Sequence, residues 1–309
     1  MLVTIALFTL AVSLPPEDAA RLQCAHAVFQ AVGEKVWPGW GAAPFDTLLI
    51  AGDHEFAISS KDTVAGFTPA AGEVPGYHVL SRPRTFDPRM LATFPLLAPP
   101  APSIVVGTPA ATGKSEAAWI VTVLHEHFHQ HQYSQPWYYE KTAALGLARG
   151  DTTGMWMLNY EFPYTDPAVQ QRYEAFTQAL SRALRLRQQA GFAAALREVK
   201  SRWRELRDQL APDDYAYLRF QAWQEGVARY VELRIAEAAA AVPCLKDSPA
   251  AATMDGIVVS LDKPDLGRSK RVAFYAAGAA IAMLLDETSP GWKAKYVERP
   301  FELETYFAP

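Results

Sequence analysis

The sequence is poor in the features that would assign it to several large classes. It has two cysteines, Cys24 and Cys244, in 309 residues. Neither stands in a CxxC or CxxxC pattern, which excludes them as metal ligands. Cations are not in excess: 29 Lys+Arg stand against 33 Asp+Glu, a formal net charge of -4. A nucleic-acid-binding surface is usually strongly basic, so no nucleic-acid partner is expected. The uncharged start, residues 2–14 (LVTIALFTLAVSL), is too short to span a bilayer as a helix. There is no internal repeat and no low-complexity linker. What is present is apolar material. Half of the residues are hydrophobic and 12% are aromatic, enough for a large core and against general disorder.

Pro15 and Pro16 stop any helix begun in the apolar start. With small residues Ala11 and Ser13 at cleavage spacing, residues 1–14 resemble a secretory signal that lacks its basic n-region. The alternative is a buried N-terminal segment. The expectation is an exported protein, periplasmic or extracellular, with no membrane insertion beyond that segment. One long-range Cys24–Cys244 disulfide suits such an oxidising compartment; two unpaired buried thiols are the alternative.

The first third reads as mixed α/β. A helix near Glu17–Gly33 precedes strand candidates at Thr47–Ala51, Glu55–Ser59, Tyr77–Ser81 and Ser103–Gly107, each bounded by Gly, Pro or Asp. Pro95–Pro102 is read as a proline-rich separator before the last strand. From Lys114 onward helical periodicity dominates: Ser115–Tyr133, Asp166–Leu210 broken near Gly191, about Tyr215–Ala240 after a turn at Pro212-Asp213-Asp214, and Ser269–Leu285. The Arg-rich stretch Arg182–Arg207 is interleaved with Glu198 and Glu205 and reads as a solvated helix face. Strands early and helices late give an α+β fold. The division is an N-terminal α/β lobe of about residues 15–135 and a helical lobe of about 136–309.

The chemistry concentrates at His125-Glu126-His127-Phe128-His129, which fits H-E-x-x-H. His125 and His129, at i and i+4, share one helix face and can converge on one tetrahedral zinc. Glu126 projects about 100° further round the axis, beside the metal's open position, where a carboxylate can take a proton from water. His127 and His131 form a second i, i+4 pair, but Phe128 follows His127 and cannot act as a base. They are read as packing or supporting histidines.

Two histidines leave a catalytic zinc one protein ligand short. No histidine follows His131, so a carboxylate must serve. The candidates are Glu140, Glu161, Glu225 and Glu232. Glu225 is favoured, because small residues at Gly226 and Ala228 let its helix approach a neighbour closely. Glu161 is the runner-up, and Glu232 fits a supporting role.

These residues resemble the gluzincin, or peptidase MA-like, group of zinc peptidases. HEHFHQHQ is similar to the group's HExxHxxQ helix. Trp223-Gln224-Glu225-Gly226-Val227-Ala228 is similar to its W-x-E-G-x-A segment, whose glutamate is the third zinc ligand. Tyr275-Ala276-Ala277-Gly278-Ala279 is similar to a later Y-x-x-G-A segment, whose tyrosine stabilises the oxyanion. Departures are a long interval between His129 and Glu225, no G-x-M-E-N motif, and Arg229 where some members carry an aspartate. The resemblance implies a zincin-like catalytic domain over residues 15–309. It would have a small mixed N-terminal sheet, a buried metal-binding helix, a larger helical lobe, and an active site in the cleft between lobes. Ser103–Gly107 would be the substrate-binding edge strand.

The expected function is cleavage of peptide bonds in a peptide or protein substrate. One Zn2+ per chain would sit on His125, His129 and Glu225, with Glu126 as general base and Tyr275 as oxyanion donor. The alternatives are a non-catalytic zinc-binding module, or a histidine-rich metal buffer using all four clustered histidines.

Overall fold

Thr47-Leu48-Leu49-Ile50-Ala51 is apolar after its first residue, the pattern of a strand covered on both faces. It forms the buried strand β1 (Thr47–Ala51). Gly52, with φ 59°, turns the chain directly into β2 (His54–Ser59), with Ala51 opposite His54. β3 (Thr68–Pro69), β4 (His78–Pro83), β5 (Leu91–Ala98) and β6 (Ala101–Gly107) complete one mixed six-stranded sheet, order β3-β4-β2-β1-β6-β5. Among the described strands only the β1–β6 pair is parallel. The computed structural model describes residues 12–99, 101–239, 242–245 and 252–307. Of the apolar start, residues 2–11 lie outside the described residues. No described helix is long and apolar enough to cross a membrane.

Helices α1 (Pro16–Val36), α2 (Pro109–Thr112) and α3 (Glu116–Tyr133) accompany the sheet in sequence. On one sheet face Leu48, Ile50, Ala57, Leu80 and Val105 form a cluster covered by Phe67, Phe86 and Phe94. The helical part follows as α4 (Tyr138–Ala144), α5 (Trp156–Asn159), α6 (Pro167–Arg185), α7 (Phe192–Gln209) and α8 (Pro212–Gln221), then a π-helical turn, Ala222–Gly226. After it come α9 (Val227–Ala239), α10 (Met254–Asp262), α11 (Leu266–Ser269), α12 (Ala273–Thr288) and α13 (Trp292–Lys295). α6 and α7 pack on each other, tied by Arg182–Glu198 at 2.6 Å and Arg172–Glu205 at 2.9 Å. The Arg-rich stretch is thus an ion-paired helix surface. The fold is α+β, and the chain forms two compact units. The described residues of Met1–Ala31 with Ala42–His131 make the first, and Val32–Gly41 with the described residues of Gln132–Pro309 make the second.

Several expectations are corrected. The proline-rich segment is no separator, because Leu91–Ala98 is strand β5 and pairs antiparallel with β6. Pro95 is tolerated because β5 is one of the sheet's two edge strands and its register shifts between Pro95 and Ala98. It follows that Ser103–Gly107 is not an edge strand: β6 lies between β1 and β5. Pro212-Asp213-Asp214 is no turn either. Pro212 opens α8 and both aspartates lie in its first turn, where a missing N–H costs nothing and negative charge is favoured. The segment after Tyr215 is not one regular helix, since the π turn interrupts it. The last apolar helix runs Ala273–Thr288 rather than Ser269–Leu285. The expected pairing of the cysteines, by contrast, holds: Cys24 and Cys244 are disulfide-bonded.

Candidate metal centre

The apolar run Ala117–Leu124 drives α3 against the sheet, and three polar side chains fix its rotation. Trp119 Nε1 donates to the carbonyl of Gly107 at 2.7 Å. The Gln130 amide donates to the carbonyls of Asp46 at 3.1 Å and Pro102 at 3.0 Å. Thr93 Oγ1, on β5, reaches both the carbonyl and Oε2 of Glu126 at 2.9 Å. Buried polar groups of this kind act as register pins, because a slipped helix would leave them unsatisfied.

This rotation sends His127 into the core and brings His125 and His129 together. His127 is fully buried, its ring 4.4 Å from that of Phe29 and 4.1 Å from that of Phe45, with Nε2 3.4 Å from the carbonyl of Ala43. Burial pushes its pKa down to about 3, so it is a neutral packing group. His131 is also buried, beside Phe128. His125 and His129 keep 6% and 5% of their surface exposed, and their Nε2 atoms stand 3.0 Å apart. Two nitrogens bound to one tetrahedral zinc at 2.0–2.1 Å would be about 3.3 Å apart, so the pair matches a shared metal. Glu126, 7% exposed, lies on the same helix.

Gln132, one turn beyond His129, donates to the carbonyl of Gln224 at 2.9 Å and to the Tyr296 hydroxyl at 2.7 Å. Tyr296 in turn donates to the carbonyl of Trp223 at 3.0 Å, and Tyr138 donates to Gln224 Oε1 at 3.1 Å. The Trp223 ring stacks on Tyr296 with centroids 4.4 Å apart. These contacts anchor the π turn from the residues just before Glu225. π turns inside helices recur at functional sites because the widened turn re-aims a side chain.

Glu225 has α12 directly beside it. A Cβ built on Gly226 would lie 2.4 Å from Gly278 Cα, and one built on Gly278 would lie 2.2 Å from the carbonyl oxygen of Ala222. Backbone therefore packs on backbone, which brings Tyr275 and Arg271 on the N-terminal side of Gly278 up to Glu225. Arg271 Nη1 lies 3.7 Å from Glu225 Oε1 and donates to the Tyr275 hydroxyl, which also hydrogen-bonds Glu225. Burial and the Glu225 charge hold the Tyr275 pKa well above the usual phenol range, so the group keeps its proton.

His125, His129 and Glu225 form a group that could hold a metal ion: one ligand atom from each, all within 4.8 Å of one another. The donor set, two imidazoles and a carboxylate, fits zinc in an open site. Of the other proposed carboxylates, Glu140 and Glu161 are exposed and Glu232 is paired with Arg229; none belongs to this group. Two residues of the site escape sequence reasoning. Thr93 lies in a strand masked by Pro95, and Arg271 is readable only as the i−4 neighbour of Tyr275.

No family model, no curated protein and no solved structure matches this chain.

Proposed function

We propose that the protein is a zinc-dependent peptidase of zincin-like architecture. The observation that carries the reading is the grouping of His125, His129 and Glu225, with a carboxylate, Glu126, immediately after the first histidine. Bound zinc would supply Lewis-acid activation of a water and positive charge for the developing oxyanion. Glu126 accepts the proton of the attacking water and returns it to the leaving amine. Tyr275, protonated and held by Arg271, has one O–H, which points to Glu225 without metal; with Glu225 on the metal it would turn to donate to the oxyanion. The edge strand β5 carries Thr93 against Glu126, so an extended peptide added to that edge would run past the base. Export is proposed with it, on the apolar start and the disulfide.

A histidine-rich metal buffer would need His127 as a ligand. Its packing between Phe29 and Phe45 weighs against that. A structural zinc site would have four protein ligands and no adjacent base.

The test is Glu126→Gln, which keeps size and removes basicity. Zinc content and melting temperature stay at wild-type values while hydrolysis of a mixed peptide library falls by roughly 10²–10⁴-fold. Wild-type hydrolysis by Glu126→Gln would overturn the mechanism.

A further inference from the structure

We infer that Thr93 is a positioning residue for the Glu126 carboxylate; the inference rests on the reading of Glu126 as general base. Thr93 is buried on β5, and its hydroxyl lies 2.9 Å from Glu126 Oε2 and 2.9 Å from the Glu126 carbonyl oxygen. In a helix the carbonyl of residue 126 already accepts from four residues on, so the hydroxyl is not needed there to complete the ladder. What it adds is a fixed point for a side chain that otherwise has three rotatable bonds.

The position of Thr93 is itself over-determined. It stands opposite Ile104 in the β5–β6 ladder, and its β-branched side chain has few rotamers in a strand. α3 is pinned to the same sheet by Trp119 and Gln130. Carboxylate and hydroxyl are thus delivered by two rigid elements whose relation is set elsewhere. With Oε2 held by Thr93, Oε1 is the oxygen left to meet the attacking water. A hydroxyl has one proton and two acceptor lone pairs. It donates to Oε2 when Glu126 is ionised. Once Glu126 has taken the water's proton on Oε1, Oε2 remains an unprotonated acceptor and the hydroxyl goes on donating to it. No heavy atom need move, and the proton passes from water to Glu126 to the leaving amine with none gained or lost at Thr93. Misplacing a reacting group by about 1 Å can cost 10²-fold in rate, which sets the scale of the effect.

The experiment compares zinc-loaded wild type, Thr93→Val, Thr93→Ser, Glu126→Gln and the Glu126→Gln/Thr93→Val double variant. Thr93→Val keeps the strand shape without the hydroxyl. It is expected to bind one zinc with unchanged KM and to lose roughly 10–100-fold in kcat. Thr93→Ser restores the rate to within a few-fold, and adding Thr93→Val to Glu126→Gln costs nothing more. A second readout needs no turnover. Crystal structures of wild type and Thr93→Val are expected to show the Glu126 carboxylate leaving its single orientation when the hydroxyl is removed. Wild-type kcat in Thr93→Val beside an inactive Glu126→Gln, or an unmoved carboxylate, overturns the role of Thr93 and leaves the base standing. Wild-type kcat in Glu126→Gln instead overturns the parent reading. If Thr93→Val does not fold, Thr93→Ala is read by the same two criteria.

Discussion

Gly226 and Gly278 meet backbone to backbone: a methyl group on Gly226 would lie 2.4 Å from the Gly278 Cα. No flexible side chain stands at the contact to give way. The two residues following Glu225 and Tyr275 in their respective motifs, one by a single position and one by three, are what bring ligand carboxylate and phenol together. Gly226→Ala and Gly278→Ala are each expected to lower stability by about 1–3 kcal/mol or more, read by chemical denaturation. The survivors should bind zinc more weakly, because the helices must part. Wild-type stability in both would contradict the packing.

Metal content separates the carboxylate candidates. Wild type should bind one zinc per chain by elemental analysis and lose it to a chelator. His129→Ala and Glu225→Ala should each weaken zinc binding severely. Glu161→Ala and Glu140→Ala, at exposed positions, should retain it fully. A zinc-free Glu161→Ala protein beside a zinc-replete Glu225→Ala protein would refute the ligand set.

Acid should destabilise the fold through His26. Its ring lies 4.2 Å from that of Phe45 and 4.7 Å from that of Tyr77, and burial lowers its pKa from 6.5 to about 4. The unfolded chain therefore binds a proton from about pH 6.5 downward, while the folded one waits until about pH 4. The contribution of the neutral ring is complete above pH 6.5 and is lost between 6.5 and 4, on the order of 3 kcal/mol. In urea titrations of chelator-stripped protein, His26→Gln should flatten the pH dependence of stability across that window. An unchanged slope would count against it.

Removing the disulfide should be costly without being chemical. The double variant Cys24→Ser/Cys244→Ser is expected to lose about 2–5 kcal/mol, measured against wild type under oxidising conditions. Under strong reductant the two proteins should unfold at the same denaturant concentration.

Much of the fold is visible in the sequence because its apolar runs are continuous. Thr47–Ala51 and Ala117–Leu124 contain almost nothing but core residues, so strand and helix are read within a few positions. His125 and His129 are legible because helical spacing alone makes them neighbours. β5 is hidden, since Pro95 argues against a strand unless its edge location is already known. Pro212 is ambiguous for a similar reason: proline opens a helix as well as a turn. Thr93 is invisible because its role comes from a pairing of β5 with β6 that places it over α3. The π turn is invisible because Tyr215–Ala239 has helical content on both sides of it, and only the phase between them differs.

That phase has a consequence for what length changes the chain can accept. A π turn holds more residues than the α turn it replaces, so α8 and α9 are two helices out of step by roughly one residue, about 100° of rotation. Deleting a single residue between Ala222 and Gly226 would let the segment run as one regular helix. One of its ends would then have to turn: either Glu225 leaves His125 and His129, or Tyr230, Val231 and Ile235, all buried, leave the core. Helix interiors ordinarily accept substitution better than deletion, but here even a deletion that improves helical regularity should be refused. The number of residues across Ala222–Gly226 is as much a part of the candidate metal site as their identity.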